Sequence, residues 1–337
     1  MIRIDGSNGE GGGQVLRSAL SLSIATGQAF EIDNIRAGRN RPGLMRQHLT
    51  CVEAARDICD ARITGAQIGS ARITFKPGAL SGGDYVFSIG TAGSTGLVFQ
   101  TVFPALMLAK TPSTLRISGG THNKASPPYE FIRDSYLPAM NAMGAEARYN
   151  IERAGFYPAG GGCVAASISV IEKARPLDLS ARTDAVVSSM EAQVSNLPGT
   201  IAKREIAALK SALNVSNDAA HTRSVVSDGP GNVVVVWTTN GSKKIVHSGF
   251  GEHGVTAETV AKRLAGQVNR FCRARVSVDE HLADQLLVPL ALGKGGRFAM
   301  PEPTGHFVTN IETIQQFLDI SIRYAQDDDH AWQVEVG

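Results

Sequence analysis

The feature that most constrains the fold is a pattern that occurs three times along the chain. A helix end, a short turn and an alternating strand are predicted at residues 19–35, and the same plan returns at 104–120 and 287–303. Phe30, Leu115 and Phe298 take matching places in the predicted strands. The second copy starts 85 residues after the first, and the third starts 183 residues after the second. One further repeat of 85 residues accounts for part of the second interval and leaves about 98 residues. A domain-sized insertion is therefore expected inside the third repeat.

The insertion is predicted over residues 182–278, which leaves 1–181 and 279–337 as one large domain. Helices are expected at 202–213 and 257–272, with an alternating strand at 233–238. The insertion holds 12 basic and 7 acidic residues, net +5, against net −3 for the rest. This bias is compatible with a surface that faces RNA, although such a bias is often incidental. The predicted fold class is α/β (α+β), with three βαβα-type units around a pseudo-threefold axis and a smaller inserted α/β domain.

The chain begins with a predicted strand, a glycine-rich loop and a helix, from Asp5 to Ala19. Backbone N–H groups in such a loop and at a helix N-terminus can bind phosphate. The spacing of the glycines matches neither the dinucleotide fingerprint nor the Walker loop. Glu10 is unusual in an anion-binding loop, and we predict that it is a ligand of a divalent cation. A tight turn with an acidic residue at the helix start is the alternative.

The loops that follow the second strand of each predicted unit are expected to converge, at residues 36–43, 121–128 and 304–311. The first is rich in arginine, whose guanidinium groups suit phosphate, although a solvated basic loop would look the same. The third contains His306, expected just before a helix capped by Thr309 or Asn310. Positive potential at that site favours a neutral, nucleophilic imidazole. A surface histidine is the alternative.

The composition bounds the class of protein. With 43% hydrophobic and 19% charged residues in 337, a substantial core is expected without metal or disulfide, and the four cysteines form no C-x-x-C pair. A net charge of +2 excludes a highly basic nucleic-acid coat. No apolar run approaches the roughly 18 residues of a membrane span, and the first residues do not resemble a signal peptide. A cytoplasmic location is the expectation, with no membrane partner.

Several blocks, in order along nearly the whole chain, carry a resemblance to a known family. They are D-G-S-N-G-E-G-G-G-Q-V-L-R from Asp5, R-A-G-R-N-R-P-G-L from Arg36, Q-H-L-T from Gln47, R-A-G-F-Y-P-A-G-G-G from Arg153 and H-F-V-T-N-I from His306. On these blocks the sequence resembles the RNA 3′-terminal phosphate cyclases, and the P-A-G-G-G block is that family's signature.

The resemblance implies an ATP-dependent ligase-class reaction in three steps. His306 attacks the α-phosphorus of ATP and becomes adenylylated; AMP passes to an RNA 3′-phosphate; and the vicinal 2′-hydroxyl then attacks that phosphate and expels AMP. The product is a 2′,3′-cyclic phosphate. The partner is an RNA with a 3′-terminal phosphate, and Mg²⁺ or Mn²⁺, with Glu10 as ligand, would neutralise phosphate charge.

The resemblance also assigns binding residues. Some family members have an aromatic ring of tyrosine type where this chain has His281, whose imidazole can also stack on adenine. The residues that the resemblance implies for binding phosphate or the RNA end are Arg17, Arg36, Arg39 and Gln47. The residues that it implies for the nucleotide pocket are Gln100, Pro127, Pro128, Phe131, His281, Leu282, Ala283, Asp284 and Gln285.

Four alternatives remain to be weighed against this interpretation. The family's non-catalytic branch binds RNA in ribosomal RNA processing and lacks the histidine that is present here as His306. Enolpyruvyl transferases use similar repeats but not the P-A-G-G-G and H-x-x-T-N-I blocks. Lysine-adenylating ligases need K-x-D-G, which is absent, and two-histidine phosphodiesterases need two H-x-T/S motifs, of which only the one at His48 is present. The oligomeric state stays open, with a homodimer as one option.

Overall fold

The computed structural model describes residues 1–9, 11–182, 184–241, 243–328 and 331–337. The described chain contains both helices and strands, and the strands form four sheets of four strands each. The protein is therefore a mixed α/β structure built from several small mixed sheets. Within the described ranges, no helix is both long and apolar enough to span a membrane.

The first sheet has the strand order β1-β2-β4-β3. β1 runs parallel to β2, and the other neighbours are antiparallel. Helices α1 and α2 follow β1 and β2. Their bounds are β1 Ile2–Asp5, α1 Gln14–Thr26, β2 Phe30–Asp33, α2 Arg46–Cys59, β3 Arg62–Thr64 and β4 Ile73–Lys76.

The second sheet repeats this arrangement with the order β5-β6-β8-β7. Again only the first two strands are parallel. A helical segment in three parts, the middle one a π-helical turn, follows β6. The bounds are β5 Asp84–Ser88, α3 Thr95–Leu106, β6 Ser113–Gly119, α4 Tyr129–Phe131, the π-turn Ile132–Tyr136, α5 Leu137–Ala142, β7 Ala147–Arg153 and β8 Gly162–Ile168.

The third sheet has the same order and the same strand senses, but its first two strands are far apart in sequence. β9 pairs in parallel with β14, which is antiparallel to β16, and β16 is antiparallel to β15. The bounds are β9 Leu177–Leu179, α8 Glu280–Leu292, β14 Gly296–Met300, α9 Gly305–Phe317, β15 Ile322–Gln326 and β16 Trp332–Val336.

The fourth sheet lies between β9 and α8 in the chain and has the order β11-β10-β12-β13. Two helices, α6 and α7, pack on each other and on this sheet around a core of its own that includes Val234, Val236 and Leu264. The bounds are β10 Val186–Ser195, α6 Thr200–Leu213, β11 Ala220–Ser224, β12 Gly231–Asn240, β13 Lys243–Phe250 and α7 Ala257–Ala274.

Most predicted elements are confirmed with bounds that shift by a few residues. The predicted helices at 202–213 and 257–272 are α6 and α7, the predicted strand at 233–238 lies inside β12, and the strand at the start of the chain is β1. Phe30, Leu115 and Phe298 lie in β2, β6 and β14, the second strand of each of the first three sheets. The alternation of apolar residues was therefore a sound guide to these strands.

The prediction for residues 304–311 was wrong, because this segment is the start of α9 and not a loop. Thr304 is the N-cap, and its side-chain oxygen accepts a hydrogen bond from the backbone N–H of Phe307 at 3.2 Å. Thr309 and Asn310, the predicted caps, lie inside the helix. The Thr309 hydroxyl donates to the carbonyl of Gly305 at 2.8 Å, so it bonds back within the first turn. His306 consequently lies in the first turn of α9 and not before it.

Candidate active site

The glycine-rich loop between β1 and α1 lies directly against side chains from the α2 region. A Cβ added to Gly12 would lie 2.9 Å from Nη2 of Arg39, and one added to Gly13 would overlap Nε2 of His48. A larger residue at Gly13 would have to displace the buried ring of His48, whereas one at Gly12 would move only the end of the Arg39 side chain. The loop thus brings its backbone to an arginine and a histidine that are distant in sequence.

His48 is buried where this loop meets α1. Its side chain is only 9% exposed, and its Nδ1 has no hydrogen-bond partner among the described residues. Burial lowers the pKa of His48 to about 3, and the positive charges of Arg17 and Arg36 act in the same direction. The ring is therefore neutral near pH 7, and the positive charge at this end of the site belongs to the arginines.

The first turn of α9 carries His306 into a cavity of ≈ 890 Å³. Gly9, in the glycine loop, has a φ of +61°, and a Cβ added there would overlap the side chain of Thr309, one turn along α9. The helix that carries His306 therefore packs on the glycine loop. The N-terminal end of a helix carries partial positive charge, which suits an approaching phosphate.

Asp284, on α8, connects α1 with α9. Its Oδ1 accepts hydrogen bonds from the side chain of Gln14 and, at 3.3 Å, from Nδ2 of Asn310, which also donates to the Asp284 carbonyl at 2.9 Å. Ser18 donates to Oδ1 of Asn310 at 2.7 Å. Burial raises the pKa of Asp284, and its electrostatic interaction with His306, the hydrogen bond from Gln14 and the charge of Arg17 oppose that rise. Asp284 is thus a carboxyl group close to His306, fixed by two amide side chains.

A second part of the same cavity has flat and apolar walls. Gln100 on α3 donates a hydrogen bond to the side-chain oxygen of Gln285 on α8, so the two amides hold each other in place. Purine bases stack well on aromatic and flat aliphatic surfaces, while amides can bind their polar edges. The predicted pocket residues that line the cavity are Gln100, Pro127, Pro128, Phe131, His281, Asp284 and Gln285.

Some predicted residues do not line this cavity. Leu282 and Ala283 are buried in the core on the inner face of α8. The Gln47 side chain accepts a hydrogen bond from the backbone N–H of Ser94 at 2.7 Å, at the start of α3. Arg36 donates to the carbonyls of Arg41 and Gly43 at 2.6 and 2.9 Å, within its own loop. Arg17 does line the cavity, together with His306.

The predicted metal ligand, Glu10, lies outside the described residues. In the part of the chain that the structure describes, no group of three or more His, Cys, Asp and Glu side chains is arranged to hold a metal ion. The prediction of a divalent cation at Glu10 therefore stays a prediction.

No sequence pattern predicted the wall of the cavity that comes from residues 246–271. Phe250 at the end of β13 and Arg263 and Arg270 on α7 line the same cavity as the residues named above. The only sequence signal for this wall is the recurrence of polar residues on one face of α7. Gln14, which holds Asp284, was also missed, because a hydrogen bond over 270 positions leaves no local pattern.

Comparison with known proteins places the whole chain in one family. The family model "RNA 3'-terminal phosphate cyclase" matches residues 8–324. An RNA 3'-terminal phosphate cyclase from Koribacter versatilis (strain Ellin345) is 43% identical over 332 residues, which cover 98% of this chain and 94% of that protein. The enolpyruvyl transferase NikO from Streptomyces tendae aligns over 98% of this chain and 47% of its own at 9% identity, and its TM-score of 0.36 does not establish a shared fold. The chain belongs to the RNA 3′-terminal phosphate cyclase family.

Proposed function

We propose that this protein converts the 3′-terminal phosphate of an RNA to a 2′,3′-cyclic phosphate at the expense of ATP. The observation that carries the proposal is that His306 and the Gln100–Gln285 pocket line one cavity. A base held by the pocket and a phosphate near the N-terminus of α9 would bring the α-phosphorus of ATP to the imidazole. A stacking pocket alone would only bind a nucleotide; the histidine adds a nucleophile.

The proposed reaction balances in three steps. A ring nitrogen of His306 forms a bond to the α-phosphorus as the bond to pyrophosphate breaks. An oxygen of the RNA 3′-phosphate then attacks the same phosphorus, and the histidine leaves. Finally the 2′-hydroxyl loses its proton and attacks the 3′-phosphorus, and AMP leaves. Asp284 would stabilise the positive charge that develops on the imidazole ring as its nitrogen forms the bond to phosphorus.

The phosphates need positive partners in each step. Arg17 in the cavity and Arg39 against the glycine loop are proposed for this role, with Arg36 and Gln47 nearby in the loop and at the start of α2. Arginine forks suit phosphate oxygens better than point charges do. Mg²⁺ or Mn²⁺, with Glu10 as its protein ligand, would neutralise triphosphate charge when bound.

The proposed architecture is three related units with an inserted domain at 182–278. The identical strand order and strand senses of the first three sheets support the repeat. The separate core around Val234 and Leu264 supports the inserted domain. In this arrangement β9 opens the third unit, and α8 followed by β14 resumes it after the insertion.

The nucleophile can be tested by labelling. Wild-type protein incubated with Mg²⁺ and ATP labelled at the α-phosphorus should acquire acid-labile AMP, and His306→Ala should acquire none while its circular dichroism stays unchanged. His253→Ala is the matched control, since His253 is an exposed histidine outside the cavity lining. Persistent labelling of His306→Ala would overturn the assignment.

The overall reaction needs a second measurement. An oligoribonucleotide with a 3′-phosphate, incubated with wild-type protein, ATP and Mg²⁺, should become resistant to phosphatase. An unchanged end, in the presence of active phosphatase, would favour the RNA-binding role of the family's non-catalytic branch.

A further inference from the structure

One wall of the cavity comes from α7, in the segment 182–278, and it carries positive side chains. The cavity-lining residues recur every three or four positions, so they form one face of the helix. The apolar members are buried in the core, whereas the polar members are exposed. This face consists of Val260, Arg263, Leu264, Gln267, Arg270 and Phe271.

The three polar members form a row along the helix axis, which we call the α7 row: Arg263, Gln267 and Arg270. They are spaced i, i+4 and i+7, and with a rise of about 1.5 Å per residue the two arginines are separated by about 10 Å along the axis. Each guanidinium can pair with a phosphate through two parallel hydrogen bonds, and the amide between them can donate another. The row therefore offers a line of donors to an extended anion.

The charge of the α7 row is only partly offset. Glu252 lies 3.8 Å from Nη1 of Arg263, but it is shared with Lys124, whose Nζ lies 2.8 Å away. Across the described ranges, no carboxylate lies within salt-bridge distance of Arg270. The other carboxylates of the cavity belong to the segment that opens α8 or follow β14, namely Asp279, Glu280, Asp284 and Glu302. The two exposed arginines of the cavity lining thus lie on α7, and the exposed Lys124 is paired with Glu252.

We infer that the α7 row binds the RNA strand upstream of its 3′-terminal phosphate. The inference rests on the proposed function, in which one cavity receives two polyanions, ATP and RNA. Arg17 lines the cavity together with His306 and is proposed to bind the phosphates that react there. The α7 row lies on a different helix that lines the same cavity, and a line of donors about 10 Å long matches a continuous backbone better than a single terminal phosphate. The net charge of +5 for residues 182–278 acts in the same direction.

The test is a double variant, Arg263→Ala/Arg270→Ala, assayed with two RNAs that end in a 3′-phosphate. For a ten-nucleotide RNA the KM should rise about tenfold or more, and the slope of log KM against log salt should decrease by about 1.4, since each phosphate contact contributes about 0.7. For a dinucleotide, which has a single phosphate upstream of its 3′-terminal phosphate, the KM should stay within about twofold of the wild-type value. Labelling of His306 by ATP alone should also persist, which shows that the variant is folded.

The matched control is Lys203→Ala/Lys262→Ala, which removes the same charge from exposed positions of α6 and α7 outside the cavity lining. It should leave both KM values unchanged. Three results would each overturn the inference. They are an equal rise in KM for the two RNAs, loss of His306 labelling in the α7 variant, and a rise in KM in the control variant as large as in the α7 variant. Failure of the wild-type protein to cyclise either RNA would instead contradict the proposed function.

Discussion

Glu205 is a carboxyl group that the fold holds in a place unsuited to a negative charge. Its side chain is fully buried on α6, where Nδ2 of Asn232 donates to Oε2 at 2.9 Å and Oε1 has no partner among the described residues. Burial raises the pKa of Glu205 from its ordinary 4.5 to about 7, and the bond from Asn232 only partly opposes this. Glu205 therefore favours the protonated form in the folded state.

The raised pKa predicts a pH dependence of stability. Between pH 4.5 and 7 the unfolded chain loses the Glu205 proton while the folded chain retains it, so the stabilisation present below pH 4.5 is lost as the pH rises to about 7. Glu205→Gln removes this effect, because an amide does not titrate. The free energy of unfolding of the variant, relative to wild type, should increase by about 2 to 3 kcal/mol from pH 5 to pH 8, by urea denaturation.

Glu258→Gln is the control for that measurement. Glu258 is an exposed carboxylate on α7 that is paired with Arg204, and its pKa is lowered to about 2. It stays ionised at both pH values, so this substitution should show no change in relative stability between pH 5 and 8. A pH-independent difference between Glu205→Gln and wild type would contradict the assigned titration.

At the scale of elements, the helical segment 129–142 joins the body of the protein to the fourth sheet. Gln193 on β10 donates to Glu130 at 2.8 Å, Trp237 on β12 donates to Asp134 at 2.7 Å, and the backbone of Val246 on β13 donates to Ser135 at 2.9 Å. Phe131, in the same segment, lines the cavity. Docking of the fourth sheet therefore helps to fix the part of the cavity that Phe131 lines.

Glu130 is the buried carboxylate among these contacts, and its removal should be costly. Burial alone would raise its pKa, but His122, whose Nε2 lies 3.0 Å away, and the bond from Gln193 lower it to about 2. Glu130→Ala leaves both partners buried without it, so we expect a loss of about 3 to 5 kcal/mol in the free energy of unfolding. Denaturation followed by tryptophan fluorescence measures this, since Trp237 lies at the same interface.

The conservative variant separates the polar contact from simple loss of volume. Glu130→Gln keeps an oxygen that can accept from Gln193, and it should recover part of the loss. If Glu130→Ala unfolds at the same denaturant concentration as wild type, Glu130 does not hold the segment 129–142 against the fourth sheet.

The elements also show what the sequence could and could not predict. The alternation around Phe30, Leu115 and Phe298 predicts three strands correctly, because burial of one face of a sheet imposes a local period. The sequence predicted the start of α9 too late in the chain, because Thr304, Thr309 and Asn310 are all residue types that cap helices well. Which of them is the cap depends on contacts made in the folded protein. Asn310 is taken by Ser18 and Asp284, on α1 and α8.

The same limit applies to the site. The pocket residues on α3 and α8 were assigned through family motifs, and most of them line the cavity. Leu282 and Ala283 belong to the same run of sequence but point into the core, since neighbouring positions of a helix face different directions. The α7 wall was missed because its relation to His306 exists only after the chain has folded.

At the scale of the whole molecule, the cavity lies between the body and the segment 182–278, so a ligand there contacts both. Residues from α1, α3, α8 and α9 form one side, and residues from β13 and α7 form the other. A nucleotide that binds only the folded form stabilises it by mass action, by about 2.7 kcal/mol at a hundredfold excess over its Kd. We expect nucleotide binding and covalent chemistry to be separable, because the amides of Gln100 and Gln285 are held by each other on α3 and α8.

This separation predicts that ATP still stabilises the His306→Ala variant. A chain of 337 residues that unfolds as one unit has an unfolding entropy of about 0.7 kcal/mol/K. ATP at about a hundred times its Kd should therefore raise the Tm of the variant by about 4 °C. Gln100→Ala/Gln285→Ala should lose most of this increase, because the amides that meet the base are gone, while the exposed control His253→Ala should keep it. Calorimetry with and without ATP measures the shift. If ATP raises the Tm of wild type but not of His306→Ala, the histidine and not the pocket holds the nucleotide, and the division of roles within the cavity is wrong.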